Sequence, residues 1–88
     1  MARIKVDFKE TKNVQHFVRF VKADITEDDV VTEDFLKNEI EDAYDFMVSR
    51  GRIQEMTANE LVCAAIKLFD FYDIKTTKTM KFNIRTKD

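Results

Sequence analysis

The sequence has almost none of the residues that build tight turns and catalytic loops. Its 88 residues include no proline and no tryptophan, and its single glycine is Gly51. The phosphate-binding loops of nucleotide-dependent enzymes need several glycines, because the backbone must approach the phosphate closely. We therefore exclude P-loop and dinucleotide-binding enzymes. Any left-handed turn position must be supplied by Gly51 or by an Asn or Asp.

Nucleophiles and metal ligands are also scarce. The chain has one histidine, His16, one cysteine, Cys63, and one serine, Ser49. A structural zinc site needs about four nitrogen or sulfur ligands, so zinc is not expected. Cys63 stands between Val62 and Ala64, which indicates a small apolar core residue rather than a reactive thiol. We interpret the chain as a non-enzyme, with no catalytic residue, no cofactor-binding residue and no metal site.

Long apolar runs and export signals are missing too. No run approaches the roughly 18 apolar residues of a membrane span, and the first residues do not have the pattern of a secretory signal. Apolar residues make up 44% of the chain and charged residues 36%, which is typical of a folded domain. We expect residues 1–88 to form a single domain in the cytoplasm, without membrane contact.

Charge is present in abundance, but it is segregated along the chain. The formal net charge is only −2. Residues 1–22 have a balance of +4, residues 23–48 a balance of −9 and residues 49–88 a balance of +3. The near-neutral total therefore conceals an acidic middle segment between two basic ones, and this segregation favours a binding protein over an enzyme.

The periodicity of apolar residues predicts strands at both termini and two helices between them. Residues 3–8 and 79–85 alternate charged or polar with apolar side chains, as in a half-buried strand. Residues 31–50 and 58–72 have the spacing of three and four that is typical of a helix, and a Thr57–Glu60 capping box precedes the second. Residues 14–22 fit either structure, and their Val and Phe content favours a strand.

These elements predict an α+β fold of the order ββααβ. A three-stranded antiparallel or mixed sheet would pack on two helices, because a sheet of two strands is marginal in water. If residues 14–22 are helical instead, the order becomes βαααβ, and the sheet must gain strands by dimerisation. A homo-oligomer is therefore one of the expected states.

The first candidate site is an acidic face on the helix at residues 31–50. Its members point away from the apolar stripe, and an aromatic residue beside them can anchor a contact. The set is Glu33, Asp34, Glu41, Asp42, Asp45 and Phe46. Such a face suits a basic groove on a larger protein, so we expect a protein-binding regulator or inhibitor. The composition also resembles that of small accessory proteins of bacteriophages or mobile elements that act on a host protein.

The alternative site is a basic face on the predicted sheet, formed by Arg3, Lys5, Lys81 and Arg85. These side chains would face outward together and contact phosphates, as in a small nucleic-acid-binding or transcription-regulating module. The outward positions of the two terminal strands hold no aromatic residue for stacking on bases, and Phe17 supplies one only if the middle strand exists. Nucleic acid is therefore the less favoured partner.

Overall fold

The computed structural model describes residues 11–75, 82 and 84–87, and three helices make up the regular structure of these residues. In chain order the helices are α1, Lys12–Asp24, then α2, Glu33–Ser49, and α3, Ala58–Phe71. Within the described residues there is no strand. The α+β prediction is therefore wrong for this part of the chain, which is an all-helical globule.

The middle strand predicted at residues 14–22 is a helix. Buried side chains along α1 are Val14, Phe17, Val18 and Val21, and Ile25 follows at its end. In a strand these residues would divide between two faces, each mixed with polar side chains. Only a helix places them all on one side, so the gain from apolar burial outweighs the β propensity of Val and Phe.

The structure tests the two predicted terminal strands to different extents. The first prediction, at residues 3–8, lies outside the described residues. The second, at residues 79–85, lies mostly outside them, and the described residues Phe82, Ile84 and Arg85 are not in a strand. Phe82 and Ile84 pack as half-buried side chains against the helical core. Of the alternative order βαααβ, the described structure therefore contains only the three helices.

A threonine begins each helix. The hydroxyls of Thr11, Thr32 and Thr57 accept hydrogen bonds from the backbone N–H groups of Val14, Phe35 and Glu60, at 3.1–3.2 Å. The Glu60 carboxylate in turn accepts from the Thr57 N–H, which confirms the predicted capping box. The cap of α2 is Thr32, whereas Thr26 bonds Asp29 in the preceding turn.

The last two helices end in the same backbone motif. After α2, Gly51 adopts a φ of 69°, and the N–H of Arg52 bonds the carbonyl of Met47 at 2.9 Å. After α3, Asp73 adopts a φ of 54°, and the N–H of Ile74 bonds the carbonyl of Phe69 at 2.9 Å. Both are Schellman turns. The scarcity of glycine is met by using an aspartate at the second one.

The core lies where the three helices meet. Tyr44 of α2 is 2% exposed, and its ring packs edge-on against Phe17 of α1, with centroids 6.0 Å apart. Its hydroxyl accepts a hydrogen bond from the Met56 N–H at 2.8 Å, just before α3. Asn13 also joins α1 to this segment through two hydrogen bonds with the backbone of Gln54. These contacts fix α1 against α2 and against the start of α3.

Candidate functional site

The predicted acidic face is exposed but divides into two parts. Glu33, Asp34, Asp42 and Asp45 are exposed, and Glu41 is half-buried. The helical spacing places Asp34, Glu41 and Asp45 on one line along α2. Asp42 and Phe46, one turn apart, lie instead on the flank of α2 that faces α1. That flank is the part of the predicted site with a defined shape.

A groove runs between α1 and α2 on this flank. We call it the α1–α2 groove, and its volume is about 390 Å³. It is lined by Phe20 and Asp24 of α1 and by Glu39, Asp42, Ala43 and Phe46 of α2. Two aromatic rings and three carboxyl groups thus surround one open space.

The aromatic part of the groove is a stacked pair. The rings of Phe20 and Phe46 lie 5.8 Å apart between centroids, with planes 13° from parallel. Phe46 remains 41% exposed, as expected from its position off the apolar stripe of α2. The guanidinium of Arg50 lies over the Phe46 ring, 5.0 Å from its centroid. The ring therefore already holds one cation by a cation–π contact.

The acidic part of the groove centres on Glu39. The pKa of Glu39 is raised from 4.5 to about 7. Burial is the largest cause, and a hydrogen bond with Asp24 and the negative charges of Asp24, Asp42 and Asp29 add to it. Both burial and the neighbouring carboxylates therefore disfavour the ionised form of Glu39.

Chemically, this arrangement suits a cationic side chain. A guanidinium or ammonium group in the groove would meet carboxylates on one side and aromatic rings on the other. Within the described residues, no group of three His, Cys, Asp or Glu side chains is arranged to hold a metal ion.

Most of the predicted nucleic-acid-binding residues lie outside the described residues. Arg3, Lys5 and Lys81 belong to that part of the chain, and Arg85 is exposed in an irregular segment. Phe17, the aromatic residue considered for base stacking, is fully buried on α1. Phe17 is therefore not available for stacking, whereas the grouping of the four basic residues stays a prediction.

The sequence reasoning missed the contribution of α1 to the groove. Phe20 lies in the segment for which the sequence favours a strand, and Asp24 lies outside every predicted element, so the pattern places neither beside α2. Glu39, Asp42 and Phe46, spaced by three and four, share one flank of α2, and this spacing is a signal that could have grouped them. Their partner Phe20 could be found only once residues 14–22 were recognised as a helix.

Two other predictions were tested by their positions in the structure. Cys63 is buried in α3, as expected for a small apolar core residue. His16 is exposed on α1, rather than half-exposed on a strand. In the described part of the chain, no helix is both long enough and apolar enough to cross a membrane.

Comparison with known proteins gives no relative from which a function could be transferred. No protein-family model, no curated protein and no solved structure matches this chain. The class of protein is therefore defined by the fold and the groove alone: a small helical protein with an acidic, aromatic-lined groove.

Proposed function

We propose that this protein is a non-enzymatic regulator or inhibitor that binds a larger protein through the α1–α2 groove and the adjoining acidic line on α2. The observation that carries the proposal is the stacked pair of half-buried Phe20 and exposed Phe46, with carboxyl groups beside it. Interfaces commonly place an aromatic anchor at the centre and charged side chains around it. The partner would present an arginine or lysine to the groove, within a basic surface.

Charge is the first support for a basic partner. Burial is the main cause of the raised pKa of Glu39, and repulsion by the charges of Asp24 and Asp42 adds to it. A cation in the groove would relieve that repulsion and favour the ionised form of Glu39. Binding should therefore release a proton near neutral pH. The acidic residues Asp34 and Asp45 farther along α2 would steer the basic surface toward the groove.

The contact between Arg50 and Phe46 is the second support. It demonstrates within this chain that the Phe46 ring accommodates a guanidinium group at 5.0 Å. Arg50 is exposed, so it can move aside or share the ring with a partner's cation. An arginine is thus the side chain that best satisfies both the ring and the carboxylates.

Binding of a fluorescein-labelled peptide of alternating Arg and Ala residues tests the proposal. Fluorescence anisotropy at about 50 mM salt should show saturable binding that weakens as salt is added. Phe46→Ala should weaken the affinity about tenfold, since an aromatic anchor is lost. Asp42→Asn should weaken it several-fold. A Glu and Ala peptide of equal length should not bind.

Asp70→Asn is the matched control for Asp42→Asn, because it removes the same charge from an exposed position on α3. Its affinity for the Arg peptide should equal that of the wild type. Calorimetry at about pH 7 in two buffers of different ionisation enthalpy should also detect proton release. The proposal would be contradicted if Asp70→Asn and Asp42→Asn lost affinity equally. It would also be contradicted if Phe46→Ala bound the Arg peptide with the wild-type affinity.

A further inference from the structure

The outward face of α1 is basic, in contrast to that of α2. Lys12, His16 and Arg19 follow one another at helical spacing, and all three are exposed. From Lys12 to Ala23 the helix contains no acidic residue. The exposed face of α1 is therefore locally basic, although the whole chain carries a net charge of −2.

This face forms a second groove. We call it the α1 basic groove, and its volume is about 510 Å³. Among the described residues, those that line it are Lys12, Gln15, His16, Arg19 and Phe20 of α1. Lys12 and Arg19 are separated by two turns, about 10 Å along the helix axis, so they would contact different negative groups rather than one. Phe20, half-buried, supplies an apolar ring at the edge of the groove.

Cations beside an aromatic ring are the elements with which proteins bind single-stranded nucleic acids. Lysine and arginine neutralise phosphates, and bases stack on aromatic rings whatever their sequence. In a duplex the base faces are already stacked on one another, so Phe20 would have no partner there. An acidic peptide could satisfy Lys12 and Arg19, but its carboxylates alone would leave Phe20 unused, whereas every nucleotide carries both a phosphate and a base. The combination therefore favours an unpaired strand.

We propose that the α1 basic groove binds a short stretch of single-stranded nucleic acid, with Lys12 and Arg19 at phosphates and a base against Phe20. The site is separate from the α1–α2 groove, although Phe20 lines both. The carboxyl groups of Asp24 and Asp42 repel phosphates, so the strand would extend from Phe20 toward the N-terminal end of α1. This inference adds a second partner to the protein and does not depend on the first.

Binding of labelled oligo-dT and oligo-U of about ten nucleotides tests it, measured by anisotropy at low salt. If two phosphates are contacted, a plot of the logarithm of the association constant against the logarithm of the salt concentration should have a slope of about −1.4. Lys12→Ala with Arg19→Ala should lower the affinity at least tenfold and bring the slope near zero. Phe20→Leu, which keeps an apolar side chain but removes the ring, should lower the affinity about tenfold.

Arg52→Ala with Lys75→Ala is the matched control, since it removes the same charge from two exposed positions outside α1. It should keep the wild-type affinity and slope. The inference is overturned if neither oligonucleotide binds at about 20 mM salt, or if the control loses as much affinity as the α1 double variant. Equal or tighter binding of a duplex, or of a Glu-rich peptide, would also overturn it.

Discussion

At the scale of single residues, Glu39 is the group whose environment differs most from water. The side chains facing it are Asp24 on α1, Asp29 in the following turn, Asp42 on α2 and Tyr72 at the end of α3. Burial raises the pKa of Tyr72, and the charge of Glu39 raises it further. No basic side chain is among these neighbours in the described structure. The neighbours of Glu39 on each of these elements therefore oppose its ionisation.

Glu39 should make the stability of the protein depend on pH. Because its pKa is about 7 in the folded protein and 4.5 ordinarily, the folded state binds the proton more tightly. The stability linked to this group is thus fully present below about pH 4.5 and is lost as the pH rises through about 7. Glu39→Gln cannot ionise, so at pH 7.5 it should be more stable than the wild type by about 1 kcal/mol, after screening by solvent.

Thermal melts from pH 5 to pH 7.5 provide the measurement, since about 1 kcal/mol corresponds to 4–8 °C for a domain of this size. The gain from Glu39→Gln should shrink toward zero at pH 5. Glu27→Gln, at an exposed position in the turn after α1, is the control and should follow the wild type. A constant difference between Glu39→Gln and the wild type across this range would contradict the assignment.

At the scale of elements, the ends of the helices depend on local chemistry that is independent of the core. Each helix begins at a threonine cap, and α2 and α3 each end in a left-handed residue. Gly51 adopts this conformation without strain, whereas Asp73 carries a Cβ there. The two helix ends therefore form a natural comparison of the same turn with and without glycine.

Substitutions at these two turns should have opposite effects on stability. A Cβ at Gly51 would meet no atom within 4 Å, so Gly51→Ala should cost about 1 kcal/mol through backbone strain alone. Asp73→Gly should stabilise the protein by about 0.5 kcal/mol, since the strain is relieved at some entropic cost. Urea denaturation followed by circular dichroism measures both changes.

Asp73→Ala is the control for the second substitution, because it removes the carboxylate but keeps the Cβ. It should give no gain in stability. If Asp73→Ala stabilised the protein as much as Asp73→Gly, charge rather than backbone conformation would be responsible, and the strain argument would fail.

At the scale of the whole molecule, charge is sorted by helix. The exposed face of α1 is basic and that of α2 is acidic, and Phe20 lies between the two grooves. Two neighbouring faces of a small domain can thus attract partners of opposite charge without a large net charge. Tyr44 holds this arrangement together, since it contacts α1 through Phe17 and the start of α3 through Met56.

Removing the hydroxyl of Tyr44 should weaken the whole fold. Tyr44→Phe would leave the buried N–H of Met56 without its acceptor, which costs about 1–3 kcal/mol. Urea denaturation should show a lower midpoint with an unchanged slope. Tyr72→Phe removes the same atom from a half-buried ring at the end of α3 and should change the midpoint little. Equal effects of the two substitutions would contradict this account.

Much of the fold could be predicted because the signals are local. Residues within about two turns of one another determine the bounds of α2 and α3 and the exposure of Phe46 and Phe71. The same short range covers the Thr57 capping box and the left-handed Gly51. The fold class could not be predicted in this way, because residues 14–22 satisfy both the composition of a strand and the spacing of a helix.

The sequence by itself determined the segregation of charge, the scarcity of glycine and catalytic side chains, and the helices α2 and α3. Only the tertiary structure decided that residues 14–22 are helical, because that conformation alone turns Val14, Phe17 and Val21 together into a shared core. The same packing brought Phe20 and Asp24 beside Glu39 and Phe46. A groove between two helices depends on contacts far apart in sequence, which no local pattern encodes.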